Sequence, residues 1–203
     1  MSEPTPPRPR TVRNLLIWVG LGVLLIVALR MAYVWYSAVD YAALNKTTWN
    51  TVQVGIPFVQ FESPVTLADK SHPPLGKDRE FVRRNQSFLY QNGFDLYVAV
   101  TIVDYHTHVF IDPAAVVQAV KNFDQQFGAS DITFERTDLI IGTYKSQRVE
   151  GTFMRSGRKY QFTRINAEYR NNFRDLLVIV RADDPEATRL KNRMAGTIFF
   201  EPQ

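Results

Sequence analysis

The first pattern along the chain is an apolar run. From Leu15 to Leu29 every residue is apolar or glycine, and the run continues through Met31 to Tyr36 with Arg30 as its one interruption. These 22 residues, at about 1.5 Å each, span roughly 33 Å, enough to cross a hydrocarbon core of about 30 Å. A transmembrane signal-anchor helix is expected over residues 14–36, behind a disordered Pro/Arg-rich tail at 1–13. Arg30 falls in the last third, where its long side chain reaches the nearer interface beside the rings of Tyr33, Trp35 and Tyr36, while Trp18 suits the opposite belt. Large aromatics ahead of Ser37 and Ala38 make a poor cleavage site, which favours a retained anchor over a removed signal.

Beyond the anchor the period changes. Residues 37–50 show no strand alternation and read as a linker before a globular domain at 51–203. Val52, Val54, Ile56 and Phe58 alternate as one strand that Pro64 ends, and Pro73, Pro74 and Gly76 mark a loop. Asn92-Gly93 between two β-rich runs predicts a hairpin. In its second strand Leu96, Val98, Val100 and Ile102 share one face, with Tyr97, Ala99, Thr101 and Val103 on the other; two apolar faces predict a central strand. Asp112-Pro113 opens a helix whose Val116, Val120, Phe123 and Phe127 share a stripe before Gly128. Strands follow near 132–136, 144–154, 159–167 and 174–181, with a tight turn at Ser156-Gly157. Asp184-Pro185 opens a last helix carrying Ala187, Leu190, Met194 and Ile198, which unravels near Thr197 to Phe200.

This order predicts an α+β domain: a largely antiparallel sheet covered by helices, in an α/β/α sandwich. The Asn92-Gly93 hairpin, the helix from Asp112 to Phe127, the hairpin around Ser156-Gly157 and the closing strand and helix from Asp175 to Phe199 resemble the PsbP/Mog-like family over roughly residues 50–200. That family comprises lumenal, periplasmic and lipoprotein domains and one nuclear branch. The resemblance implies a binding or assembly-assisting role beside a membrane complex, and it carries no catalytic residue across.

Charge sharpens the address. The chain has a formal charge of +4, but Arg8, Arg10, Arg13 and Arg30 less Glu3 account for three of it, leaving the domain near neutral. The basic flank predicts a cytoplasmic N-terminus and an extracytoplasmic, periplasmic domain on the inner membrane, and argues against nucleic acid as a partner. With no cysteine, disulfides, thiolate nucleophiles and Cys-based metal sites are excluded.

Two constellations can carry chemistry. Asp104, His106 and His108 alternate, so on a continued strand one carboxylate and two imidazoles would share a face, a donor set for a divalent metal; the plainer reading is a polar strand end. Arg148, Arg155, Arg158, Lys159, Arg164, Arg170 and Arg174 form a basic stretch that can meet an acidic partner or anionic headgroups, or simply solvate strand edges. No phosphate loop or nucleophile elbow is present. The expectation is a membrane-anchored, non-catalytic binding domain without a cofactor, partnered by the bilayer and an envelope protein. The alternatives are a metal-binding protein or metal-dependent enzyme centred on Asp104, His106 and His108, and a lipid-surface binder.

Overall fold

The computed structural model describes residues 25, 26, 38–107 and 113–201. The chain forms two units, Met1–Ala38 and Val39–Gln203. The expected anchor, with Trp18, Arg30, Tyr33, Trp35 and Tyr36, lies outside the described residues except for Leu25 and Ile26, which are helical. Among the described residues, no helix is long and apolar enough to cross a membrane.

The second unit begins inside the stretch expected to be a linker. There helix α1 (Tyr41–Lys46) is capped by Asp40, whose carboxylate accepts the Ala43 N–H at 2.9 Å. Tyr41 is 1% exposed; its hydroxyl donates to the Asp95 carbonyl and accepts the Arg181 N–H. Six residues are too few for a helical period to register in sequence, and only Val39, Tyr41 and Leu44 pack inward.

The single strand expected around Val52 to Phe58 is a hairpin of β1 (Asn50–Val54) and β2 (Val59–Ser63). It turns at Gly55, whose φ is +80° and where a Cβ would stand 2.1 Å from Ile102 Cδ1. The remaining strands are β3 (Ala68–Asp69), β4 (Val82–Asn92), β5 (Leu96–Tyr105), β6 (Ser130–Ile141), β7 (Tyr144–Arg155), β8 (Arg158–Tyr169), β9 (Asn172–Arg181) and β10 (Phe199–Phe200). β3 to β9 build one antiparallel sheet in the order β3-β4-β5-β9-β8-β7-β6, while β10 joins β2 and completes a three-stranded sheet. β5 therefore has a strand on each side, as its two apolar faces predict.

On one face Leu96, Val98, Val100 and Ile102, with Leu176, Val178 and Val180, pack against the small sheet and helix α4 (Pro185–Gly196), through Val59, Phe61, Leu190 and Met194. Asp184 caps α4 by accepting the Glu186 N–H at 2.9 Å. The other face is covered by α2 (Pro113–Lys121) and α3 (Phe123–Phe127). The one helix expected there breaks at Asn122, where ψ is 7°, and Phe123 meets Phe162 edge-on at 5.0 Å and Phe153 at 5.9 Å. Each such fully buried side chain contributes roughly 1.5–3 kcal/mol.

Candidate functional site

Helix α4 crosses the sheet over β8 and β9 and stops short of β6, leaving a cleft of about 380 Å³ between the helix and the sheet edge. Thr133 and Glu135 of β6, Glu150 and Thr152 of β7, Gln161 of β8 and Lys191 of α4 line it. The register explains the convergence: Glu135 stands opposite Glu150, and Glu150 opposite Thr163, so alternate residues of three strands face one side.

The floor is a charged network. Lys191, 5% exposed, donates to the Thr163 hydroxyl at 2.9 Å and to Glu150 Oε1 at 3.3 Å. Thr163 donates to the same Oε1 at 2.8 Å, and Arg148 Nη2 reaches it at 2.9 Å. Burial pushes the Lys191 ammonium below its ordinary value, against the pull of Glu150. Burial alone would raise Glu150, but hydrogen bonds from Arg148 and Thr163 and the charge of Lys191 hold it below the usual carboxylate range. The network joins Lys191 and Glu150 in a salt bridge, with each charge stabilising the other. Glu135, Thr133, Thr152 and Gln161 form a polar rim that can hydrogen-bond a partner.

Gly151 shapes this cleft. A Cβ there would meet the Thr133 carbonyl oxygen at 2.1 Å and Phe134 Cβ at 2.8 Å, so only glycine lets β6 lie this close.

The basic stretch does not form one surface. Arg174 is 1% exposed, its Nη1 bonded to the Glu201 carbonyl at 2.8 Å and its guanidinium over the Tyr144 ring. Arg164, on the opposite face, bonds buried Asp175 at 2.8 Å. Arg155 stacks on Phe94; Arg158, 3.9 Å from Asp95, and exposed Lys159 sit by the β7–β8 turn, and Arg170 lies in the β8–β9 turn at the other end. Strand alternation divides such a run between two faces. Of the seven, only Arg148 touches the cleft's charged network, through Glu150.

Asp104 is 1% exposed and faces Arg83 at 3.4 Å and Arg84 at 3.7 Å. β5 ends at Tyr105, so the alternation expected to bring His106 beside Asp104 stops there; exposed His106 gives its backbone N–H to the Phe81 carbonyl. His108 lies outside the described residues, among which no group of three His, Asp or Glu is placed to hold a metal ion.

Sequence reading missed Lys191, Glu150 and Thr163. One signal was available: Lys191 follows Ala187 by four positions and precedes Met194 by three, which puts it on the apolar stripe of α4.

No protein-family model matches the chain, and no curated protein matches it. Solved structures do. The cyanobacterial PsbP protein CyanoP from Synechocystis sp. PCC 6803 is 10% identical with a TM-score of 0.50, covering 76% of this chain and 94% of its own. LpqN of Mycobacterium tuberculosis, involved in cell envelope biogenesis, is 13% identical with a TM-score of 0.44, covering 79% and 95%. The Pseudomonas aeruginosa protein PA94, of unknown function, is 13% identical with a TM-score of 0.41, covering 77% and 100%. At such identities the likeness to CyanoP speaks for the fold alone: the domain is PsbP-like, as the hairpins and closing helix implied.

Proposed function

We propose that this chain is a non-catalytic binding domain, held outside the cytoplasm by an N-terminal membrane anchor, which docks a neighbouring envelope protein at the cleft beside β6. The observation that carries the reading is the interlocked floor of the cleft. Lys191, Thr163 and Arg148 Nη2 all converge on Glu150 Oε1, so the floor offers a fixed, polar recognition surface rather than a poised nucleophile and base. The apolar run with its basic flank supports the anchor and its direction.

Two measurements in cells test this. A reporter active only outside the cytoplasm, fused after Gln203, is expected to work where one active only inside does not; the reverse result overturns the address. A photoreactive residue at Thr152 is expected to give a discrete adduct with another protein, whereas one at exposed Asp124, on the far face, is not. Equal labelling from both positions, or none from Thr152, removes the cleft as a docking site.

A further inference from the structure

β6 is the long edge of the main sheet: it pairs with β7 on one side and with no strand among the described residues on the other. The opposite edge is the two-residue β3. A free row of backbone donors and acceptors invites another strand, and natural edges carry devices against this. β6 has a bulge between Ser130 and Thr133, where Asp131 sits at a φ of +50°, and three charges, Glu135, Arg136 and Asp138. The bulge blocks only one end. From Thr133 to Ile141 the pairing with β7 is regular, Glu135 to Asp138 are exposed and Ile140 is 77% exposed.

The charges select among partners. Antiparallel pairing of two identical strands about a two-fold axis normal to the sheet keeps each face on its own side, so the pairing is fixed by the residue on the axis. An axis at Glu135, Arg136 or Asp138 sets a charge against its own copy. An axis at Thr137 does the reverse: Arg136 of each strand opposes Asp138 of the other, Thr137 opposes Thr137, and exposed Ile140 opposes Phe134. Opposite charges, paired threonines and aromatic–aliphatic contacts are the favourable cross-strand combinations. We infer that β6 is a self-association edge, pairing antiparallel with β6 of a second copy of this chain about Thr137 and joining two sheets into one. In that arrangement Leu139 and Ile141 of each copy lie beside Glu135 and Thr133 of the other and extend the wall of its cleft.

The absence of cysteine gives a clean test on the full-length chain purified in detergent. In this register the Thr137 Cα atoms stand about 4.5–5.5 Å apart, within disulfide range, so Thr137→Cys is expected to form a covalent dimer on oxidation. The two Glu135 positions are about 13 Å apart along the strands, and Glu135→Cys is expected to stay monomeric. Arg136→Asp, which sets two carboxylates against each other twice, should weaken the dimer about tenfold or more in sedimentation; adding Asp138→Arg should restore it. A Thr137→Cys chain that remains monomeric, a Glu135→Cys chain that cross-links as readily, or a charge swap that fails to restore association overturns the inference. The photoreactive adduct at Thr152 is scored by its mass, so a partner other than this chain and a second copy of it are told apart.

Discussion

Lys191 and Glu150 lie 41 residues apart, yet Nζ and Oε1 meet at 3.3 Å, with the Thr163 hydroxyl bridging them at 2.9 and 2.8 Å. The contact ties α4 to β7 and β8. Its two partners are unequal: the Lys191 side chain is 6% exposed, that of Glu150 42%. Removing the exposed partner strands the buried one, while removing the buried one leaves a carboxylate that Arg148 and water still satisfy. Glu150→Ala is expected to lower the unfolding free energy by about 1–2 kcal/mol and Lys191→Met by under about 1 kcal/mol. The double variant should cost no more than Lys191→Met alone, as urea unfolding of the four proteins will show. Additive losses would mean that the pair is not coupled.

The same contact marks where sequence reading stops. β5 was legible because both faces of its alternation are apolar and covered, and α4 because Asp184-Pro185 caps it and Ala187, Leu190 and Met194 repeat at helical spacing. Lys191 reads as a solvated cation among Arg189, Asn192 and Arg193, since what buries it comes from strands distant in sequence. The small sheet was hidden for a related reason: two residues of β10 pair with β2 across nearly the whole domain, and no local period announces so short a strand. The Asp104 set runs past a boundary that sequence does not show: the strand ends at Tyr105, and a period of two has force only while the strand lasts.

Tyr41 governs alkaline stability. Burial, helped by the Asp95 charge and opposed by the Arg181 N–H, pushes its phenol well above the ordinary value. A phenol pushed upward in this way means that the folded state keeps a proton the unfolded chain releases. The contribution is therefore complete below pH about 10 and is lost as pH rises toward the folded value. Tyr41→Phe is expected to cost about 1–2 kcal/mol at neutral pH, because the Asp95 carbonyl and Arg181 N–H lose their partner. Above pH about 10 the wild-type curve should fall toward the variant's, by up to about 1.4 kcal/mol per pH unit. Parallel curves from unfolding at several alkaline pH values would rule this out.

Arg164 and Asp175 form an ion pair on the helix α2 side of the sheet, with side chains 15% and 8% exposed. Burial raises the Asp175 carboxyl even against the attraction of Arg164. Arg164→Met removes that attraction and should cost about 3–5 kcal/mol at pH 7. Its folded carboxyl then holds a proton at pH values where the unfolded chain has lost it, so stability of the variant rises as pH falls from about 7 toward about 4. Arg164→Met/Asp175→Asn has no titrating group at this place and should show no such recovery. Thermal unfolding across that range, compared between the two variants, distinguishes a buried charge from simple loss of packing.

Gly151 links the packing to the cleft. Its absent Cβ is what admits the Thr133 carbonyl and the Phe134 side chain, and both neighbours belong to β6, whose position sets the outer wall of the cleft. Backbone cannot step aside as the end of a flexible side chain can, so Gly151→Ala must push β6 outward and is expected to cost about 2–3 kcal/mol. A displaced β6 loosens the contact of its exposed edge with any added strand before it disturbs the core around β5. Hydrogen exchange should therefore show lost protection confined to β6 and β7 in this variant, with β5 and β9 unchanged. Uniform loss across all strands would mean that β6 is bound into the core and is not a separately adjustable edge.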